Sequence, residues 1–217
     1  MLDYAIAELA AISGRGVTLA TARPGESAVV IGQGLIGMLS AASLIQAGCG
    51  VTVADIHDGR LERSRSLGVT EAVNVAEPSG VDRLLALCPD GVDIVVEASG
   101  TFEGLKLAHR LIKRNAAWSR PAQDSCPRLV LQSSFKEEMS MNPANFFAGE
   151  RLLLLTPSDR GLEDRQRAIE SIRMGRLNPE VFIHEVVPYH AAPDAYRRLR
   201  DQPNEVFSLI FDWGAPS

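Results

Sequence analysis

Short apolar runs alternate with longer segments of helical period along most of this chain. Ala28 to Ile31, Val51 to Ala54, Glu71 to Val75, Val92 to Glu97, Arg128 to Leu131 and Leu152 to Leu155 read as strands. Most are nearly continuous in apolar residues, as a strand buried on both faces would be. Leu35 to Ala47 predicts a helix that is apolar almost all round, ended by Gly48-Cys-Gly50. Asp58 to Leu67 predicts a polar helix stopped at Gly68, and Val81 to Leu87 a short one. Glu103 to Arg114 predicts an amphipathic helix with Leu105, Ala108, Leu111 and Ile112 on one face. Upstream, Tyr4 to Ala22 reads as a helix interrupted by Gly14-Arg-Gly16. Downstream, Gly161 to Gly175 predicts a helix with Ile169 and Ile172 inward. His184 to Pro188 reads as a strand, Pro193 to Arg200 as a helix and Val206 to Phe211 as a last strand. Strands alternating with helices at this spacing predict an α/β fold, a doubly wound parallel sheet of Rossmann type with helices on both faces. Right-handed crossovers then gather the carboxyl ends of the strands on one edge, where a ligand would sit.

The expected division is a lead-in helix over 1–26, a dinucleotide-binding domain over 27–180 and a closing strand-helix-strand segment over 181–217. Ala116 to Pro127, polar and carrying two prolines, reads as a surface excursion. With 217 residues, 46% of them hydrophobic, the chain can bury a substantial core. A formal charge of −5 gives no basis for nucleic-acid or anionic-membrane binding. No apolar run reaches membrane-spanning length and Met1-Leu-Asp-Tyr4 lacks a basic start, so a soluble, cytoplasmic protein is expected. Cys49, Cys88 and Cys126 are scattered, as are His57, His109, His184 and His190, so neither a disulfide framework nor a metal site is expected.

One run carries candidate chemistry: Ser27-Ala-Val-Val-Ile-Gly-Gln-Gly-Leu-Ile-Gly37. A glycine triplet alone marks only a turn. Here Gly32-x-Gly34-x-x-Gly37 follows an apolar strand, opens an apolar helix, and is followed about 20 residues on by Asp55 at the end of the next strand. Gly32 suits the tight turn. Gly34 lets a pyrophosphate approach the backbone, and Gly37 allows close helix packing. The free N–H groups around Leu35 and Ile36, at a helix N-terminus, would meet the phosphates. Asp55 would accept hydrogen bonds from the adenosine ribose, with Ile56 beside it. Arg60 and Arg63 could support a 2′-phosphate, but Asp55 would repel one, so NAD is expected in preference to NADP.

The order of these pieces resembles the cofactor domain of the medium-chain dehydrogenases, the superfamily of zinc-type alcohol, sorbitol and threonine dehydrogenases. The residues that carry the resemblance are Arg23-Pro-Gly-Glu26, the glycine run, Ala54-Asp55 with Arg60 to Gly68, and Val95-Val-Glu-Ala-Ser-Gly100. Towards the end they are Gly175-Arg-Leu177, His184 to Pro188, Ala195-Tyr196 and Val206 to Trp213. The resemblance implies an oxidoreductase that transfers hydride at a nicotinamide lying beside Ala98, Ser99 and the Gln132-Ser133-Ser134 end of the fifth strand. It also implies that the zinc-bearing N-terminal catalytic half is absent or on another chain. Glu8 stands where that half's ligand-bearing Glu-Pro would fall, but Leu9 follows it, so a surface carboxylate and no zinc are expected. No catalytic residue is identifiable. A non-catalytic dinucleotide-binding sensor or regulatory module is the alternative. The Leu152 to Leu155 strand is expected at a sheet edge, pairing across a two-fold axis into a homodimer unless Met139 to Phe147 covers it.

Overall fold

A computed structural model of the chain describes residues 4–113, 126–135, 138, 153–157, 161–202 and 205–214. Six strands form one parallel sheet among them: β1 (Ser27–Ile31), β2 (Gly50–Asp55), β3 (Glu71–Asn74), β4 (Ile94–Glu97), β5 (Arg128–Leu131) and β6 (Leu153–Leu155). Their spatial order is β3-β2-β1-β4-β5-β6, the strand order of a Rossmann sheet. The chain winds outward from β1 in one direction, then returns to begin again at β4 on its other side. The β1/β4 boundary is therefore the topological switch point.

The near-continuous apolar strands fill two cores at once. Ala28 and Val30 of β1 and Ile94 and Val96 of β4 face helices α1 (Ala7–Leu19), α2 (Leu35–Gln46) and α3 (Asp58–Arg65), where Ala20, Leu44 and Leu61 meet them. Val29 and Ile31, with Val95, face α4 (Gly80–Leu87) and α5 (Phe102–Leu111), meeting Leu84, Leu105, Ala108 and Leu111. A fully buried leucine contributes about 1.5–3 kcal/mol relative to an exposed one, so this two-sided packing holds the sheet.

Several expectations shift. Helix α1 runs unbroken through Gly14 and Gly16. A Cβ on Gly16 would lie 2.1 Å from Gln132 Oε1 and 3.1 Å from Val130 Cγ1. The glycine serves close approach to the end of β5, and that packing offsets its helix penalty of about 1 kcal/mol. Val92 makes only an isolated bridge to Ile112, so β4 starts two residues later than the apolar run. Helix α6 (Leu162–Arg173) buries Ile172, but Ile169 is exposed. Leu152 and Met139 to Phe147 lie outside the described residues, as does most of Ala116 to Pro127. No helix among the described residues is long and apolar enough to cross a membrane.

The closing residues form a second, two-stranded parallel sheet, β7 (Glu185–Pro188) with β8 (Leu209–Asp212), joined by α7 (Ala192–Asp201). The last strand starts later than the apolar run because its first residues are engaged elsewhere. Phe207 N–H donates to His184 Nδ1 at 3.1 Å, His184 N–H donates to Ser208 Oγ at 3.1 Å, and Ser208 Oγ donates to the Phe182 carbonyl. Phe182 is buried with Met38, Leu39 and Ile172, so this segment shares a core with α1, α2 and α6.

His184 must stay neutral to accept that bond. Burial, and then the Arg63 guanidinium, push its pKa below the usual 6.5. The unfolded chain therefore takes up the proton first as pH falls. The contribution of His184 to stability is complete above pH 6.5 and is lost as pH drops toward its folded value. Urea midpoints are expected to decline between about pH 7 and 5. His184→Gln, which has no titrating group, is expected to flatten part of that decline.

Candidate functional site

The glycine run turns at the carboxyl end of β1. Gly32 has φ +89°, a left-handed conformation that favours glycine. Its bare Cα also presses on the loop after β4: a Cβ there would lie 2.6 Å from Ser99 N and 2.8 Å from the Ala98 carbonyl carbon. Gly37 is equally constrained, since its Cβ would fall 1.8 Å from the Gly32 carbonyl oxygen. Its close approach is thus to the loop's own carbonyl. Gly34 differs. It caps α2, and nothing lies within 4 Å of where its Cβ would be. Two glycines close the turn, and the third leaves a clear path to backbone at the helix N-terminus.

Asp55 ends β2 beside this loop and is 5% exposed. Its Oδ2 accepts the Gln33 N–H at 2.5 Å and its Oδ1 accepts the His57 N–H at 2.9 Å. Arg60 Nη1 lies 3.9 Å from Oδ2. The carboxylate is held in one orientation by backbone donors, with a guanidinium offsetting its charge.

A cleft of about 570 Å³ runs along the carboxyl edge of the sheet from this point, a volume within the range of small-molecule sites. Gly32, Gly34, Asp55, Ile56, Arg60, Ala98 and Ser99 all line it. Leu35, Ile36, Gly37 and Ser133 do not. Leu35 packs against the α1–α2–α6 core, and the Ile36 carbonyl accepts from Ser13 and Ser40. Ser133 turns its hydroxyl toward Glu97. The cleft also has apolar walls, Val75, Val81 and Leu107, which sequence reasoning left out. They belong to elements whose inward faces were legible but whose partners were not.

Gln33 was missed as well. It sits between the two glycines and is fully buried. Its Nε2 donates to the Val30 and Gly32 carbonyls, both at 3.1 Å, and its Oε1 accepts from Ser64 Oγ at 3.0 Å. Ser64 is on α3, one turn after Arg60, and also donates to the Arg60 carbonyl. A single amide therefore ties the glycine turn to the helix that carries Arg60.

Among the described residues, no three His, Cys, Asp or Glu side chains gather as metal ligands. Glu8 instead accepts from Arg165 Nε at 2.5 Å and Nη2 at 2.9 Å. The described residues do not fit a zinc ion, which needs three or four converging ligands. Cys49, Cys88 and Cys126 are free thiols, and burial raises the pKa of the first two.

A parallel sheet in this order, a glycine turn at its switch point and an acid ending the neighbouring strand define a Rossmann domain of dinucleotide-binding type. Within that class, residues 36–118 match the model of the zinc-binding dehydrogenase family. The chain is 30% identical over 211 residues to the zinc-type alcohol dehydrogenase-like protein YdjJ of Escherichia coli K12, covering 96% of this chain and 57% of that one. An L-threonine 3-dehydrogenase of Salmonella arizonae is 41% identical over 78 residues, 35% of this chain and 23% of the enzyme. Among solved structures, the short chain alcohol dehydrogenase rspB of Escherichia coli CFT073, complexed with NADH, superposes with TM-score 0.82 at 19% identity, covering 97% of this chain and 59% of that one. The chain thus spans a little over half the length of YdjJ and of rspB.

Ser64→Ala leaves the buried Gln33 Oε1 without its donor. The expected loss is about 1–3 kcal/mol of unfolding free energy, read from urea denaturation.

Proposed function

We propose that this chain binds NAD(H) as the cofactor-binding part of an oxidoreductase of the zinc-binding dehydrogenase type. The observation that carries this reading is the pairing of an open Gly34 at the start of α2 with the pinned Asp55 carboxylate across the same cleft. The pyrophosphate would lie over Gly32, Gly34 and the N–H groups opening α2, where the helix dipole favours negative charge. The adenosine ribose would meet Asp55, whose two backbone donors leave lone pairs for hydroxyl groups. Ile56, Val75, Val81 and Leu107 offer apolar surface for the base. A 2′-phosphate beside Asp55 would place like charges together, and this supports NAD over NADP.

The nicotinamide, when bound, supplies the hydride chemistry. Residues of this chain would bind and orient it: Ala98 and Ser99 border the far side of the cleft, and Ser133 lies just beyond the end of β5. Alcohol oxidation also needs an acceptor for the hydroxyl proton. We assign that group to the catalytic half of such an enzyme and not to the cofactor-binding part.

Calorimetric titration with NADH tests the reading. Gly34→Val puts a branched side chain in the phosphate path and is expected to abolish measurable binding. Parent-like affinity in that variant would remove the cleft from consideration. Asp55→Ser is expected to raise NADPH affinity relative to NADH by about tenfold.

We further propose a homodimer in which two copies pair along β6. This strand ends the sheet among the described residues, and an unpaired parallel edge invites pairing. Sedimentation velocity is expected to show a dimer, and Leu153→Lys to shift it to monomer. A parent chain that sediments as a monomer at high concentration would refute the arrangement.

A further inference from the structure

Glu97 is the one acid at the centre of the sheet that the cofactor reading leaves without a task. It ends β4 and is completely buried. Among the described residues, no cationic side chain lies within ion-pair distance of it. Four donors converge on its carboxylate. Ser99 N–H donates to Oε1 at 2.8 Å and Gly100 N–H at 3.2 Å. Ser99 Oγ donates to Oε1 and Ser133 Oγ to Oε2. The carboxylate also lies beneath the first turn of α5, where the helix dipole favours it. That position exists only because residue 104 is glycine: a Cβ there would lie 2.7 Å from Glu97 Oε1 and 2.2 Å from Ser99 Oγ.

A buried charge satisfied only by neutral donors is a poor source of stability, because an apolar side chain would fill the space without desolvation. What the carboxylate does provide is geometry. It joins the loop after β4 to the end of β5, two segments that no ladder hydrogen bond connects beyond Gln132 N–H to the Glu97 carbonyl. The place matters because a dinucleotide with its adenosine ribose at Asp55 must run across β1 toward β4 and β5. Asp55 and Glu97 thus end the two strands flanking β1; Asp55 is held by backbone N–H groups of the loops after β1 and β2, and Glu97 by those of the loop after β4.

We infer that Glu97 is the positioning residue for the nicotinamide half of the site. It holds Ser99 and Ser133 in the relative placement that the second ribose and the nicotinamide require. It touches no cofactor atom itself. The inference rests on the dinucleotide reading above, and NADH and ADP as paired probes separate the two. ADP carries the adenosine and both phosphates but none of the nicotinamide half.

Calorimetry on the full chain would compare parent, Glu97→Gln and Ser133→Ala. Glu97→Gln keeps the shape but turns one acceptor into a donor facing other donors. Ser133→Ala removes only the bond that ties β5 to the carboxylate, and decides the matter if the glutamine variant does not fold. The expected result is NADH affinity lowered about tenfold in Glu97→Gln and about threefold in Ser133→Ala, with ADP affinity within about twofold of parent in both. A merely structural carboxylate would weaken both ligands together or neither, and either outcome overturns the assignment. A parent chain that binds neither NADH nor ADP would overturn the dinucleotide reading and this inference with it.

Discussion

The contact on which the rest of the site depends is the one between the loops that follow β1 and β4. At the switch point these loops leave neighbouring strands in the same direction, and they meet with no room for a side chain. Gly32 supplies both requirements, a left-handed turn and a bare Cα against the Ala98–Ser99 backbone. Gly37 then fits against the Gly32 carbonyl. Any Cβ at either position would push α2 or the β4 loop outward and open the floor of the cleft. The positions of Gly34, of the α2 N-terminus and of Ser99 all follow from this apposition.

Around it the fold repeats one device. A strand ends in a carboxylate, and backbone N–H groups of loops at the same edge of the sheet close on that carboxylate. On the β2 side the acid is Asp55, closed by Gln33 and His57. On the β4 side it is Glu97, closed by Ser99 and Gly100. Loop backbone at the end of a parallel sheet has donors that no neighbouring strand can satisfy. An acid at the strand terminus satisfies them and fixes the loop in the same stroke. The two acids differ in what remains. Asp55 lines the open cleft and has an arginine near it, whereas Glu97 is sealed beneath the loop that it organises.

The sheet and the glycine turn were legible because they rest on local signals: apolar runs of strand length, a helix apolar all round, and three glycines at set spacing. What escaped was whatever depends on a partner distant in sequence. Gly14-Arg-Gly16 read as a helix break because the pattern cannot show that Gln132 packs against Gly16. Ile169 and Ile172 fit one helical face, yet only Ile172 reaches the core. Gln33 and Glu97 stood in the motifs themselves, but a residue type does not reveal which donors surround it. Glu97 did leave a trace. Like Asp55, it is an acid ending an apolar strand, and a carboxylate in that position must find hydrogen bonds or stay unburied.

The closing segment extends the same reasoning away from the cleft. His184 and Ser208 tie β7 to the start of β8, and Arg63 of α3 lies over the Phe207 ring at 5.7 Å. Arg63 is one residue from Ser64, whose hydroxyl reaches Gln33 in the glycine turn. Helix α3 therefore carries one contact to the glycine turn and another to the segment that leads into β8. The Asp55 side of the cleft is thus tied through α3, while the Ser99 side depends on the shorter clamp at Glu97.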